Sequence, residues 1–171
     1  MIFALRRSAA CALAGLTLLL ALPAQAQGVR LIGEFRDWSA YAGSDTGGTL
    51  CFALSKPKGV EPMPDGYSQA YLYLTHRPAE AVRNELNLVA GFTFAPDTTA
   101  ILSVDGQTFQ LFTENDAAWL RDPGQASTLA GIMRAGTMLV IEGTSDKGIR
   151  ITESFSLSGA TAASRAIDSA C

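Results

Sequence analysis

Ala100-Ile101-Leu102-Ser103-Val104-Asp105-Gly106-Gln107-Thr108-Phe109-Gln110-Leu111-Phe112 is the stretch that decides the fold class. Asp105-Gly106 suits a two-residue hairpin turn, because both central positions need a positive φ and glycine adopts one at no steric cost. Such a turn fixes the register: Val104 opposes Gln107, Leu102 opposes Phe109 and Ala100 opposes Leu111. Five of those six residues are apolar and all six share a face. Turn chemistry and binary pattern therefore agree on an antiparallel hairpin with one buried side.

The same period of two recurs on both sides of the hairpin. Strands are expected at about 34–42, 49–56, 69–76 and 85–92 upstream, and at about 137–143 and 149–157 downstream. In 49–56, Leu50, Phe52 and Leu54 alternate with Cys51 and Ala53; in 69–76, Leu72 and Leu74 alternate with Tyr71 and Tyr73. Residues 57–68 hold three prolines and two glycines and read as a long surface loop. Pro78 to Val82 suits one helical turn. A helix is expected at 123–135, with Asp122 as cap, Leu129, Ile132 and Met133 as buried stripe and Gly136 as stop. A second is expected at 159–170, capped by Ser158, with Ala163, Ile167 and Cys171 recurring along one side. The expectation is a mainly β protein: an antiparallel β-sandwich or flattened barrel of seven to eight strands with two helices late in the chain. Crossover helices for a parallel sheet are missing.

The start of the chain reads as an export signal. Arg6-Arg7 supplies the charge, Ala9 to Leu22 is an uncharged, mostly apolar run of 14 residues, and Ala24-Gln25-Ala26 offers small residues for cleavage after Ala26. The run is short against the roughly 20 residues of a spanning helix. Ser8-Ala9-Ala10 lacks the bulky apolar residue that should follow a twin-arginine pair, and Cys11 lies at the wrong end of the run for lipid attachment. Residues 1–26 are thus expected to be a signal peptide, an uncleaved anchor being the competing reading, and 27–171 a single domain in the periplasm, at the cell surface or secreted. No second apolar run is long enough to span a membrane after cleavage. Residues 27–171 carry 11 basic and 16 acidic residues, a net charge of −5. With no Lys/Arg cluster, that balance excludes nucleic acid and anionic lipid as natural partners.

Cys51 and Cys171 remain in 27–171, and an even count in an oxidising compartment reads as a disulfide. Two buried free thiols are the competing reading. Two cysteines and a solitary histidine make a poor metal site, and no cofactor motif is present.

Few residues suggest catalysis. His76, the only histidine, falls on the Leu72/Leu74 face at a strand end, and reads as satisfied at the sheet edge. No nucleophile-elbow motif accompanies it. Glu153 lies between Ile151 and Phe155 on an apolar face. A carboxylate there must be paired, bonded or neutral; an ion pair with Arg36, Arg121 or Arg134, or a strand edge that leaves it wet, is expected, and Glu142 is the possible companion carboxylate for a catalytic role. Trp38, Trp119, Tyr71 and Tyr73 can form either core or an aromatic binding face. Trp119 stands outside the strong periodic segments, and with Arg121 it is the candidate partner-binding surface.

The chain resembles the invasion-associated locus B family of exported bacterial proteins. The resemblance rests on Asp37-Trp38-Ser39-Ala40-Tyr41 followed by Cys51-Phe52-Ala53-Leu54, on Arg77-Pro78-Ala79-Glu80 running into Val82-Arg83-Asn84-Glu85, and on Ala117-Ala118-Trp119. It continues through Met133-Arg134-Ala135-Gly136, Gly143-Thr144-Ser145 and Phe155-Ser156-Leu157-Ser158-Gly159 to Cys171. Order and spacing together carry it. It implies a signal-bearing, β-dominated domain associated with entry into host cells, with no catalytic residues to carry over. The leading expectation is a non-enzymatic periplasmic or envelope protein that binds a protein or an envelope component. A structural or stress-related envelope factor and a periplasmic hydrolase are the alternatives.

Overall fold

The computed structural model describes residues 28–171, and the leader read at 1–26 lies outside the described residues. Its strands are β1 (Arg30–Phe35), β2 (Trp38–Asp45), β3 (Gly48–Ser55), β4 (Gly59–Glu61), β5 (Tyr71–Arg77), β6 (Val82–Val89), β7 (Thr99–Val104), β8 (Gln107–Glu114), β9 (Ala117–Leu120), β10 (Met138–Thr144) and β11 (Arg150–Ser156). Two helices, α1 (Ala126–Ala135) and α2 (Ala160–Ala170), come late in the chain. The strands form one sheet of eleven in the order β1-β2-β3-β5-β6-β9-β8-β7-β10-β11-β4, and every pairing is antiparallel.

The β7–β8 hairpin has the register its turn dictates, with Val104 opposite Gln107, Leu102 opposite Phe109 and Ala100 opposite Leu111. Asp105 and Gly106 take φ of 47° and 82°, as a turn matched to the twist of its strands requires.

Eleven strands exceed the seven to eight expected, and the surplus lies where periodicity is weak. The single strand expected at 34–42 is a hairpin: Arg36 turns at φ 57° and Phe35 pairs with Trp38. Arg30 begins β1. The expected surface loop 57–68 contains β4, which pairs with β11. Trp119, read as outside the strong periodic segments, lies in the four-residue β9, reached from β8 by a turn at Asn115 with φ 53°. Three or four residues are too few to display a period of two. At α2 the expected cap, Ser158, is replaced by Gly159 at φ 97°, where an added Cβ would stand 1.7 Å from the Phe35 carbonyl oxygen.

The core lies on one side of this sheet. Trp38, Leu72, Leu86, Leu88, Leu102, Leu111, Leu139, Ile141, Ile151 and Phe155 are all fully buried there. Helix α2 adds Ala163 and Ile167, and α1 adds Leu129 and Met133. The two ends of the sheet bond one another: Asp37 N donates to Ser158 O at 3.2 Å, Trp38 Nε1 donates to Ser156 O at 2.9 Å, and Lys58 pairs with Asp37. The disulfide joins Cys51 in β3 to Cys171 at the end of α2, with Cα atoms 6.0 Å apart. It spans 120 residues of sequence, so closing that loop in the unfolded chain contributes at most roughly 4–5 kcal/mol.

Candidate partner-binding face

In β3, β5 and β9 the side of the sheet away from the core carries large apolar and aromatic side chains where alternation usually leaves a polar surface, while β6, between β5 and β9, presents Glu85, Asn87 and Val89 there. Cys51, Ala53 and Ser55 point into the core, so the larger side chains Leu50, Phe52 and Leu54 point out and are half-buried. The partner strand follows suit: Leu72, Leu74 and His76 go in, Tyr71 and Tyr73 go out. Cross-strand register then places Leu54, Tyr73, Asn87, Trp119 and Phe112 in one row across β3, β5, β6, β9 and β8. Such directly opposed side chains are the contacting pairs of a sheet.

The rings on this side meet in two groups. Tyr41 stacks on Phe52 with centroids 5.1 Å apart, Phe52 meets Tyr73 at 5.9 Å, and Tyr73 meets Tyr71 at 6.2 Å. Phe112 and Trp119 stack at 5.3 Å with an interplanar angle of 18°. Trp119 is the divide between two grooves. One, of about 410 Å³, is lined by Phe52, Tyr73, Asn87 and Val89. The other, of about 570 Å³, runs between Phe112, Leu86 and the start of α1 at Ala126, with Arg83 and Glu114 on its rim. Arg121 is exposed on a neighbouring depression, where its Nη2 donates to Thr99 Oγ1 at 2.9 Å. Of the two residues chosen from sequence, Trp119 lies at the grooves and Arg121 beside them.

Trp38 belongs to the core, 1% exposed, and separates from the aromatic set proposed with Trp119, Tyr71 and Tyr73. Phe52, Phe112 and Asn87 were not singled out from sequence. The available signal was Phe112 itself: it falls out of step with Phe109 and Leu111, so a hairpin that buries those two must expose it.

Arg77 donates to both oxygens of Glu85, at 2.7 and 3.1 Å, and to Glu80 at 2.9 Å. The bonds to Glu85 and then Glu80 hold its guanidinium above the usual arginine range. Burial, followed by the neighbouring Tyr71 and Tyr41, pushes the Tyr73 phenol up.

Glu153 is 1% exposed, on the core side of β11 opposite Ile141 and Val60. The ion pair expected with Arg36, Arg121 or Arg134 does not form. Tyr67 donates its hydroxyl to Oε1 at 3.1 Å, and Oε2 has no partner among the described residues. Burial pushes the Glu153 carboxyl up to about 8, against the opposing bond from Tyr67. Glu142 stands opposite Thr152 on the other side of the sheet and pairs with Arg150 at 3.9 Å, so it is no companion.

His76 is fully buried in β5, an interior strand rather than the sheet edge expected. Its Nδ1 lies 3.0 Å from Asn84 N and 3.1 Å from Thr75 O, and its Nε2 lies 2.8 Å from Asp168 Oδ1. Both ring nitrogens are occupied, and no serine hydroxyl bonds to them. His76 pairs across the strand with Cys51, so it holds α2 beside the disulfide.

No protein-family profile matches the chain, and no curated protein sequence matches it. The fold is similar to the crystal structure of invasion associated protein B from Bartonella henselae, with a TM-score of 0.58 at 14% sequence identity, covering 81% of this chain and 96% of that one. The likeness expected from the motifs is thus found in the fold. Among the described residues no helix is long and apolar enough to cross a membrane, and none of their His, Cys, Asp and Glu side chains gather in a group of three able to hold a metal.

Proposed function

We propose that this is an exported envelope protein that works by binding a partner through the outer aromatic side of its sheet, with Trp119 at the centre. The observation that carries the reading is the row Leu54–Tyr73–Asn87–Trp119–Phe112 on the side away from the core, apolar or aromatic at every position but Asn87. A patch of this kind on a protein surface marks an interaction site, and tryptophan flanked by grooves is the usual energetic centre of one. Cleavage after Ala26 releases residues 27–171 as a single domain into the periplasm or to the cell surface. The bonds between the two ends of the sheet favour a flattened barrel, which keeps the recognition side rigid. The fold's likeness to an invasion associated protein supports a role at the bacterial envelope in host-cell entry.

The test is a binding or host-entry assay on folded protein. Trp119→Ala should weaken partner binding by about tenfold or more while circular dichroism stays as in wild type, and Arg121→Ala should weaken it less. Wild-type behaviour of a folded Trp119→Ala variant overturns the choice of this face.

A further inference from the structure

Residues 62–69 lie between β4 and β5 with no helix or strand of their own, and none of them is buried. Pro64 and Tyr67 are half-buried and the others are exposed. A segment with so little apolar burial opens easily unless its bonds hold it. At one end Ser68 N donates to Gly91 O at 2.9 Å, and Ser68 Oγ donates to the same oxygen at 3.3 Å. The backbones are in contact there, since a Cβ on Gly91 would stand 2.2 Å from Ser68 O. Among the described residues, the one side-chain hydrogen bond from this segment to the core side of the sheet runs from the Tyr67 hydroxyl to Glu153 Oε1.

That tie ends on a group with little else to support it. Glu153 stands opposite Val60 of β4 and Ile141 of β10, between Ile151 and Phe155 on its own strand. The charged residues of these strands, Glu61, Glu142 and Arg150, project from the other side of the sheet, and Asp65 of the 62–69 segment is exposed. Tyr67 is thus the titratable group that meets Glu153, and no cation pairs with it among the described residues. Burial pushes the Glu153 carboxyl up to about 8, against the Tyr67 bond. Burial and then Glu153 itself push the Tyr67 phenol up, so Tyr67 keeps its proton where Glu153 loses one. Protonated, Glu153 is a neutral group with one bond. Ionised, it is a buried charge with one bond and a second oxygen that meets no donor, which is far more costly.

We propose that residues 62–69 are a strap that stays closed over Glu153 while its carboxyl is protonated and lifts from the sheet when the proton is lost. Lifting removes the Tyr67 ring and hydrates the carboxylate, while β4, β10 and β11 stay fixed by their ladders. In the open form the carboxyl returns toward its ordinary 4.5. Opening therefore releases a proton between those two values. The closed form is fully favoured below pH 4.5, loses ground as pH rises, and reaches a floor above about pH 8. The strap also forms one wall of a cavity of about 320 Å³, through Pro64, Asp65 and Ser68 facing Phe92, Asp116 and Asp146. Proton loss at Glu153 is thereby coupled to access to that cavity, on residues separate from the aromatic side of the sheet.

Amide hydrogen exchange of the oxidised protein from pH 5 to pH 9, with each rate divided by that of a free amide at the same pH, provides the test. The Ser68 amide reports the strap, and the amides of the β7–β8 hairpin report global unfolding. Ser68 protection should fall by about tenfold or more between pH 6 and pH 8, level off above that, and stay well below the hairpin's throughout. In Glu153→Gln it should be the same at every pH, because the side-chain carbonyl still accepts from Tyr67 and no proton is lost. Tyr67→Phe should lower it roughly three- to tenfold at pH 6. Ser68 protection that is flat in the wild type overturns the proposal, and so does an equal fall in Glu153→Gln. Protection equal to the hairpin's at every pH also overturns it, since the strap would then open only with the whole domain. If Glu153→Gln does not fold, Tyr67→Phe decides: unchanged Ser68 protection at pH 6 removes the tie to Glu153 and the proposal with it.

Discussion

Trp38 and Trp119 sit in the same sheet and have opposite jobs. Trp38 is buried to 1% exposure at the start of β2, and its indole N–H is bonded to β11. Trp119 is half-buried on the other side, stacked on Phe112 between two grooves, with its N–H unengaged. A buried indole must satisfy its N–H or bear the cost of desolvating it, whereas a surface indole can leave the N–H to water or a ligand. The state of the polar end, more than exposure alone, separates a structural aromatic from a recognition aromatic. By that criterion Tyr67 belongs with Trp38, and Tyr71 and Tyr73 belong with Trp119.

The sharpest way to break this division is to truncate the core member. Trp38→Ala removes a fully buried ring, leaves a cavity and strands the Ser156 carbonyl, so about 3–5 kcal/mol of stability should be lost. Urea unfolding of the oxidised protein measures it. A loss below about 1 kcal/mol would mean that Trp38 is no more structural than Trp119.

Most of this division is latent in the sequence, yet only part of it is legible there. The Asp105-Gly106 hairpin is read in full because local turn chemistry and alternation specify it together. The pairing of Cys51 with Cys171 is reached by count and compartment and is present in the structure. Trp119 is read as partly exposed, as it is, but no strand is recognised around it, since β9 is four residues long and its identity comes from pairing with β6 and β8. Nothing local distinguishes Trp38 from Trp119; what does is a bond to Ser156, 118 residues away. Glu153 shows the same limit. Its burial follows from the phase of β11, but its partner is Tyr67, 86 residues distant in a loop with no period of its own.

Glu153 offers the second, smaller test, because it is a buried polar group on the core side whose satisfaction is incomplete. Its carboxyl is raised to about 8 in the folded protein against an ordinary value of 4.5. Between those values the folded chain holds a proton that the unfolded chain has released. The contribution to stability is therefore fully present below pH 4.5 and is lost as pH rises to about 8, by up to a few kcal/mol in all. Glu153→Gln removes the titration, so the difference in unfolding free energy between variant and wild type should move in the variant's favour from pH 5 to pH 8. Tyr67→Phe, which takes away the bond that opposes the shift, should extend the loss to higher pH. A difference between Glu153→Gln and wild type that is constant from pH 5 to pH 8 would show that Glu153 is charged and satisfied in the fold.

The smallest expected effect is the most informative about the outer face. Trp119→Ala removes as large a ring as Trp38→Ala, but from a half-buried position whose N–H satisfies nothing. Stacking with Phe112 is worth about 0.5–1.5 kcal/mol beyond area burial, and part of the apolar surface it covers is already wet. The loss of stability should therefore stay near 1–2 kcal/mol, well under that of Trp38→Ala. Trp119→Phe keeps a ring against Phe112 but deletes the N–H, so its stability should fall within about 0.5 kcal/mol of wild type. If partner binding nevertheless drops in Trp119→Phe, the unengaged donor is what the partner reads. If Trp119→Phe binds as wild type while Trp119→Ala does not, the ring face alone is recognised. If Trp119→Ala costs as much stability as Trp38→Ala, the outer row is a second core, and the division between the two sides of the sheet fails.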